Sequence, residues 1–259
     1  MAGHLASAGI PIQGTRFVEM GTGWYPTFPF CLYLGGAARV DTIDLNRYLR
    51  PDLTRDMARF LGGKLDTIAE QSKRPLADVR AAHEALSKAL AGGATPEDAT
   101  GGVVRYRAPG DAAATGLPAG SVDVVFSNSV LEHVPGDVIA RCFEEARRIL
   151  RPGGVVFHSV NCGDHYAYVD RRINQLNYLR YSDDEWARWN NRFLYQNRLR
   201  AIDFVDMARD AGYAIELDTS RPHPTRLEQL AQIRVHPRFA RYSEAQLAIT
   251  SIDFIGRRP

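Results

Sequence analysis

A short run near the N-terminus has the residue types and spacing of a nucleotide-binding turn. Residues 16–20 form an apolar stretch that leads into Gly21 and Gly23, and Asp44 ends a second short apolar stretch about 20 residues later. Glycines let the backbone pass close beneath a ligand, where a Cβ atom would collide. An acid at this distance can accept hydrogen bonds from both hydroxyls of a ribose. The pattern therefore predicts a site for an adenosine-type ligand.

The same turn departs from the fingerprint of a dinucleotide site. That fingerprint has a third glycine three positions after the second, and this chain has Pro26 there. The loop is therefore unsuited to seating a pyrophosphate on a helix N-terminus, and an NAD-dependent oxidoreductase ranks last among the functions considered. Glu19, which precedes the first glycine by two positions, favours a cationic ligand over a phosphate. We expect a nucleoside that carries a positive charge.

The elements that must position these residues alternate between strands and helices. This alternation predicts an α/β fold, namely a doubly wound, Rossmann-like sheet of seven mostly parallel strands. The predicted strands cover residues 16–20, 39–43, 103–107, 121–127, 155–160, 213–217 and 248–255, and the clearest helices cover 26–38, 138–150 and 201–211. A turn at 151–154 is expected to separate the second of these helices from the fifth strand.

Two stretches are longer than an ordinary connection between a strand and a helix. Residues 46–100 follow strand 2 and are rich in helix formers, so we predict a helical insertion of two or three helices. Residues 161–200 follow strand 5, are polar, aromatic and rich in arginine, and predict a lid-like region that meets the substrate. With no repeats or linkers, a single domain over residues 1–259 is expected.

The composition is that of an ordinary globular protein. The chain has 259 residues, a formal net charge of +2 and three cysteines, none of them in a CxxC pair. This charge offers no general argument for binding nucleic acid or a membrane, and the cysteines suggest neither a disulfide framework nor a zinc cluster. The first residues have no basic leader and no apolar run is long enough to span a bilayer, so a cytoplasmic protein is expected.

With these pieces in order, the chain resembles the class I S-adenosylmethionine-dependent methyltransferases. Residues 19–23 are similar to the family motif that holds the methionine and ribose parts of the cofactor, and Asp44 matches the acid that holds the ribose diol. Residues 109–112 resemble the adenine contact, 121–134 the fourth-strand motif, and 150–154 the turn before the fifth strand. The resemblance covers roughly two-thirds of the chain and implies S-adenosylmethionine as the cofactor.

The resemblance also implies a set of cofactor contacts. Asp111 would take the exocyclic amine of adenine, and the amide of Ala112 would face the ring. The residues expected to bind the cofactor are Glu19, Gly21, Gly23, Asp44, Asp111, Ala112 and Ser127. Structural alternatives stay open, because the glycines could form only a tight turn, Asp44 could cap a helix and Asp111 could be a loop acid.

Methyl transfer from a sulfonium requires the protein to align the acceptor and, where needed, to remove its proton. Asp164 and His165 follow the fifth strand and could serve as orienting group and base, while His133 is a competing base. The alternatives are that His133 packs beside the cofactor or pairs with Glu132, and that Asp164 caps a loop. Asp164, His165 and Asp170 do not have the spacing of a known metal site, so no metal is predicted.

The region from 166 to 200 combines aromatic rings with arginines, which suits a sugar or a planar acceptor that carries phosphate or carboxylate. The alternative is a lid whose aromatic rings pack on the sheet, with residues 197–200 as its anchor. The residues concerned are Tyr166, Tyr168, Trp186, Trp189, Tyr195 and the arginines 171, 172, 180, 192, 198 and 200.

These observations favour a methyltransferase that acts on a hydroxyl of a small molecule, such as a saccharide or a secondary metabolite. The acceptor could be anionic or sugar-like, although carbon and nitrogen acceptors need similar alignment. An RNA or protein methyltransferase is the alternative, and it would need a contiguous basic face built from the arginines of 171–200. A cofactor-binding module without catalysis is the third class, and the oligomeric state is beyond the sequence.

Overall fold

A computed structural model describes residues 1–191 and 195–259 of the chain. Its strands are β1 (Arg16–Met20), β2 (Arg39–Ile43), β3 (Val104–Arg107), β4 (Val122–Asn128), β5 (Leu150–Asn161), β6 (Ala214–Asp218) and β7 (Ser251–Arg257). These strands form one sheet in the order β3-β2-β1-β4-β5-β7-β6. β1 is parallel to both of its neighbours, β2 and β4, and β3 is parallel to β2. The sheet is mixed, mostly parallel and covered by helices on both faces, so the predicted Rossmann-like fold is confirmed.

The helices of the described residues lie mostly between the strands. The α-helices are α1 (Ala2–Ser7), α2 (Thr27–Leu34), α3 (Pro51–Leu61), α4 (Leu65–Ser72), α5 (Leu76–Ala91), α6 (Pro96–Ala99), α7 (Gly136–Ile149), α8 (Asp183–Ala187), α9 (Ala201–Asp210), α10 (Pro224–Ala231) and α11 (Glu244–Leu247). Short 3₁₀ turns at Leu131–His133, His165–Tyr168 and Asn177–Arg180 carry several of the polar residues discussed below. No helix in the described part of the chain combines the length and apolar character needed to cross a membrane.

The chain divides into two compact units. The first unit contains residues 1–127, 144–157 and 257–259, and the second contains residues 128–143 and 158–256. Each unit is assembled from segments that are distant in sequence. The single domain expected over residues 1–259 therefore stays a prediction.

In the first unit, β1 and β2 are buried strands whose ends match the sequence prediction. β2 follows α2, which begins after Pro26 and ends at Leu34, four residues before the predicted end. Gly36 explains the early end, because its φ of 86° lies in the left-handed region that terminates helices. Gly35 is also required by packing, since a Cβ there would lie 2.8 Å from Ile12.

Residues 46–100 contain four α-helices, α3 to α6, instead of the two or three predicted. Glycine and proline separate them: Gly62 starts the 3₁₀ turn after α3, and Pro75 directly precedes α5. α6 is only four residues long and has Thr95 as its N-cap, whose side chain accepts a hydrogen bond from the Asp98 N–H. That this region is an insertion relative to a minimal fold stays a prediction.

The predicted turn at 151–154 is wrong as a boundary, because β5 runs continuously from Leu150 to Asn161. Gly153 keeps the turn-like φ of 75°, but its N–H donates to the carbonyl of Arg258 at 2.9 Å. The N–H of Arg258 in turn donates to the carbonyl of Gly154 at 2.8 Å. Pairing with the C-terminal segment therefore extends the strand across the glycines, and a local sequence pattern does not contain this contact.

The second unit has its own apolar core around Trp186, which is 4% exposed. The other members of this core are Leu176, Tyr178, Leu179, Leu230, Phe239 and Leu247. The indole ring packs against the rings of Tyr166, Tyr178 and Tyr181. Burial of these apolar and aromatic side chains stabilises this part of the chain.

Candidate cofactor and acceptor sites

The structure brings the glycine turn and Asp44 together in the first unit. Gly21 has a φ of 79°, and its N–H donates to the carbonyl of Ile43 at 2.9 Å. Gly23 has a φ of 72°, and its N–H donates to Oδ2 of Asp44 at 3.2 Å. Both angles lie in the region that favours glycine. The turn after β1 is therefore held against the end of β2 in the manner expected of an adenosine site.

Glu19 is a buried carboxyl directly before this turn. It is 3% exposed, and Thr42 donates a hydrogen bond of 2.6 Å to its Oε2. The hydroxyl of Thr22 lies in hydrogen-bonding contact with that of Thr42. Burial raises the pKa of Glu19 to about 8, although hydrogen bonds from Thr42 and Thr22 oppose the rise. A positive charge beside this carboxyl would favour its ionised form.

Asp44 is 5% exposed, and burial raises its pKa. Hydrogen bonds from the Tyr106 hydroxyl and from the N–H groups of Gly23 and Thr22 oppose that rise. The carbonyl of Asp44 accepts a hydrogen bond of 2.9 Å from the N–H of Gly110. The loop expected to contact adenine is thus attached to the residue expected to hold the ribose. Tyr106 was not identified as a site residue from the sequence, which indicates only that an aromatic residue lies near the end of β3.

Asp111 and Ser127 occupy different settings. Asp111 is exposed, and its Oδ1 accepts a hydrogen bond of 2.8 Å from the N–H of Ala113, as in an Asx turn. This is the loop role that the sequence left open. Ser127 is fully buried near the end of β4, where it pairs with Met20 of β1.

A cavity of about 320 Å³ lies in the first unit between the helices of residues 46–100 and Tyr106. Arg47 and Arg55 contribute cationic groups to its lining. The guanidinium of Arg47 lies 5.9 Å from the ring centre of Tyr106 and donates to the carbonyl of Ala108 at 2.8 Å. This cavity was not anticipated from the sequence.

In the second unit, three side chains with lone pairs converge: Glu132, His133 and His165. One ligand-type atom from each lies within 4.8 Å of the others, and the two imidazole rings are 4.9 Å apart in an edge-to-face arrangement. Glu132 and His133 belong to the 3₁₀ turn after β4, and His165 begins the 3₁₀ turn after β5. The sequence singled out both histidines, but Glu132 was considered only as a pairing partner of His133.

Burial changes the acid–base properties of this cluster. The pKa of Glu132 is raised to about 7 by burial, against hydrogen bonds that include one from the Asn161 N–H. The pKa of His165 is lowered to about 4 by burial and by the nearby His133. The His165 imidazole is therefore neutral at pH 7 and can act as an acceptor or as a ligand.

Asp164 has the contacts of a helix cap. It is fully buried, its Oδ1 accepts from the N–H of Tyr166 at 2.9 Å, and its Oδ2 accepts from the side-chain amide of Asn177 at 3.1 Å. The carboxylate thus satisfies the first turn of residues 165–168. The capping alternative describes Asp164 better than the role of orienting group, and burial raises its pKa.

The aromatic and basic residues of 161–200 separate into two groups. Arg198 and Arg200 are 4% and 0% exposed and donate to backbone carbonyls, so they anchor this region as the alternative interpretation expected. Tyr168 and Trp189 remain 60% and 55% exposed. Arg192 lies outside the described residues. The ring of Tyr168 is 5.4 Å from that of His165, and its hydroxyl accepts from the side-chain amide of Asn161.

The comparisons with known proteins concern the family and the fold. Residues 76–158, about a third of the chain, match a family model described as a methyltransferase domain. No curated protein matches the chain.

Solved structures share the fold at low sequence identity. An S-adenosylmethionine-dependent methyltransferase from Mesorhizobium loti aligns with a TM-score of 0.53 and 15% identity, over 100% of this chain and 98% of that one. A geranyl diphosphate C-methyltransferase from Streptomyces coelicolor A3(2) aligns with a TM-score of 0.50 and 14% identity, over 100% of this chain and 78% of that one. A methyltransferase from Methanosarcina mazei aligns with a TM-score of 0.50 and 13% identity, over 95% of this chain and 93% of that one. The partial domain match and the shared fold support the interpretation of the chain as an S-adenosylmethionine-dependent methyltransferase of class I.

Proposed function

We propose that this enzyme transfers the methyl group of S-adenosylmethionine to a hydroxyl of a small molecule, such as a saccharide or a secondary metabolite. In the first unit, Glu19, the Gly21–Gly23 turn, Asp44 and residues 109–112 bind the cofactor. In the second unit, His133 and His165 serve the acceptor. Each assignment rests on contacts within its own unit.

The observation that carries the proposal is the arrangement of Glu19 and Asp44 around one glycine turn. Asp44 receives the Gly23 N–H, while Glu19 is a buried carboxyl held by Thr42. The ribose hydroxyls of a nucleoside need an acceptor such as Asp44, and a cationic ligand is stabilised by a carboxylate such as Glu19. S-adenosylmethionine contains both features in one molecule.

For the acceptor, the exposed ring of Tyr168 and the side chain of Asn161 offer contacts beside His165. In the reaction, the acceptor O–H bond breaks and its proton passes to an imidazole of His133 or His165. The oxygen forms a bond to the methyl carbon while the bond from that carbon to sulfur breaks. S-adenosylhomocysteine leaves with the sulfur electron pair, so the charge on the sulfonium is neutralised. Asp164 positions the turn that carries His165.

A small acceptor is favoured over RNA because the candidate basic face is smaller than the sequence suggested. Arg198 and Arg200 are buried, and Arg172 pairs with Asp170 at 2.8 Å. Buried or paired arginines contribute little to binding a phosphate backbone. The structural neighbour from Streptomyces coelicolor acts on geranyl diphosphate, which supports an acceptor of the small, anionic class.

The test is to incubate the protein with methyl-labelled S-adenosylmethionine and a fractionated small-molecule extract, and to follow the label by mass spectrometry. We expect the label in a small hydroxylated compound. Parallel incubations contain total RNA or total protein at low and high salt. Label transfer to RNA or protein alone would overturn the proposal, and Asp44→Ala serves as the inactive control.

A further inference from the structure

Two polar atoms of this cluster are buried and have no hydrogen-bond partner among the described residues. They are Oε2 of Glu132 and Nε2 of His165. Glu132 is 3% exposed, so its carboxylate is removed from water. An unpartnered carboxylate oxygen and an unpartnered imidazole nitrogen are both costly to bury. Their proximity indicates that a group capable of binding both belongs between them.

The remaining atoms of the cluster are already oriented. Nδ1 of His133 lies 2.6 Å from the carbonyl of Tyr195, and a carbonyl can only accept. Nδ1 therefore carries the ring proton, and Nε2 keeps its lone pair. This is the arrangement by which a backbone carbonyl orients a metal-binding histidine. Oε1 of Glu132 accepts from the Asn161 N–H at 3.3 Å, which holds the carboxylate in place.

Residues 196 and 197 hold the turns that carry the three side chains. The side-chain amide of Asn197 donates to the carbonyls of Leu131 and Val134 at 2.7 and 2.8 Å, and its N–H donates to the carbonyl of Glu132 at 3.0 Å. The side chain of Gln196 accepts from the N–H of His165 at 3.0 Å. The cluster is therefore preorganised by its supporting contacts, as binding sites require.

We propose that Glu132, His133 and His165 bind a divalent transition metal ion of the Zn²⁺ class. This departs from the expectation, drawn from the sequence, that the protein has no metal site. Two imidazole nitrogens and one carboxylate oxygen form the donor set of catalytic zinc sites, which keep a fourth position open. Mg²⁺ and Ca²⁺ prefer oxygen ligands alone and fit this set less well.

The spacing of the donors is close to that of such a site. The three ligand-type atoms lie within 4.8 Å of one another. In a tetrahedral site with bonds of about 2.0–2.1 Å, neighbouring ligand atoms are about 3.4 Å apart. The donors are therefore close enough for an ion to draw them together by a shift of about 1.4 Å or less.

The role of the ion in catalysis rests on the proposed function. Its open position takes the acceptor hydroxyl oxygen and lowers the pKa of that hydroxyl. The O–H proton then passes to water, and the oxygen forms its bond to the methyl carbon as the carbon–sulfur bond breaks. The metal keeps its oxidation state. With the ion bound, His133 and His165 are its ligands, and water takes the proton that an imidazole would accept in the metal-free site.

The first experiment measures metal binding without cofactor or acceptor. Chelator-treated protein is titrated with Zn²⁺ by calorimetry and with Co²⁺ by visible absorption, which reports nitrogen and oxygen ligation directly. We expect about one ion per chain, with affinity reduced at least about tenfold in Glu132→Gln, His133→Gln and His165→Gln. Absence of saturable binding, or binding that none of the three substitutions weakens, would overturn the proposal.

A matched control is His223→Asn, because His223 caps α10 through its Nδ1 and an asparagine can do the same. This variant should bind metal as the wild type does, and equal loss in it would also contradict the site. Thermal unfolding and S-adenosylmethionine affinity establish that each variant is folded. Glu132→Gln keeps the side-chain volume, so it tests the charge and ligation and leaves the packing intact.

The second experiment separates the metal proposal from the proposed function. Methyl transfer to the acceptor is compared in metal-free and Zn²⁺-reloaded protein. Recovery of activity on reloading supports the catalytic role, and undiminished activity of the metal-free protein overturns that role. Stoichiometric metal binding without transfer to any hydroxyl would count against the acceptor assignment while supporting the metal site.

Discussion

Thr42 donates a 2.6 Å hydrogen bond from its hydroxyl to Oε2 of Glu19, and the two residues occupy paired positions on the parallel strands β2 and β1. The register of the sheet thus holds a buried carboxyl directly before the glycine turn. Because Glu19 is 3% exposed, its ionisation depends on what lies beside it. We therefore expect the ionisation of Glu19 to respond to the charge of a ligand bound beside it.

The first prediction is that cofactor affinity rises with pH and that Glu19 causes the rise. With a pKa raised to about 8 by burial, the carboxyl is mostly protonated at pH 7 in the free protein. A cationic ligand favours the carboxylate, so binding releases a proton below pH 8. Affinity should therefore increase towards pH 8, approaching tenfold per pH unit, and level off above it. Calorimetry at several pH values and in several buffers measures the cofactor affinity and the number of protons released on binding. A pH dependence of affinity that is unchanged in Glu19→Gln would contradict the assignment.

The second prediction concerns Asp44. Asp44→Ala removes the acceptor for the ribose hydroxyls and the partner of the Gly23 N–H. Two hydrogen bonds to a charged group contribute about 1.5–3 kcal/mol each, so affinity should fall by at least about 100-fold. The control is Asp52→Ala, an exposed acid on α3 that pairs with Arg50 and should leave affinity unchanged. Wild-type affinity in Asp44→Ala would remove Asp44 from the site.

The third prediction distinguishes a structural role of Asp164 from a role of His165 in turnover. His165→Ala should slow turnover while leaving cofactor affinity near normal. Asp164→Asn should keep near-normal turnover, because an asparagine oxygen still accepts from the Tyr166 N–H. Asp164→Ala removes the cap and should lower the free energy of unfolding by about 1–2 kcal/mol. Steady-state kinetics and urea unfolding check the three variants, and a large loss of turnover in a stably folded Asp164→Asn would restore a catalytic role.

The fourth prediction is a loss of stability in acid that depends on Asp123. Burial alone would raise its pKa, but hydrogen bonds from Arg16 and Arg151 outweigh it and lower the pKa to about 2. A carboxyl whose pKa is lowered by folding stabilises the protein above its unfolded pKa of about 4, and this contribution disappears as pH falls towards 2.

Asp123→Asn should therefore cost about 1–2 kcal/mol at pH 7, a value reduced because both arginines are partly exposed. The difference between variant and wild type should shrink as pH falls from 5 to 2. Urea unfolding at several pH values measures this difference in the free energy of unfolding. A difference that does not change with pH would show that packing, and not ionisation, accounts for the loss.

Local patterns were sufficient for the fold class and for the glycine turn beside Asp44. The ends of β1 and β2 were predicted to the residue, because an apolar strand bounded by glycine or by an acid is a short-range pattern. The same holds for the order of the motifs that resemble methyltransferases. The length of β5 was not predictable in this way, since its pairing with the C-terminal segment sets it.

The amino-acid sequence by itself determined the α/β class, the glycine turn with Asp44 and the candidate histidines. Only the tertiary structure decided that Glu132 joins His133 and His165, that Asp164 is a cap and that Tyr106 contacts Asp44. The physical reason is distance along the chain. Residues 132 and 165 lie on turns that follow different strands, and the lone pairs of their side chains converge only after the backbone has folded. Burial, which sets the pKa of Glu19, is likewise a property of the folded chain.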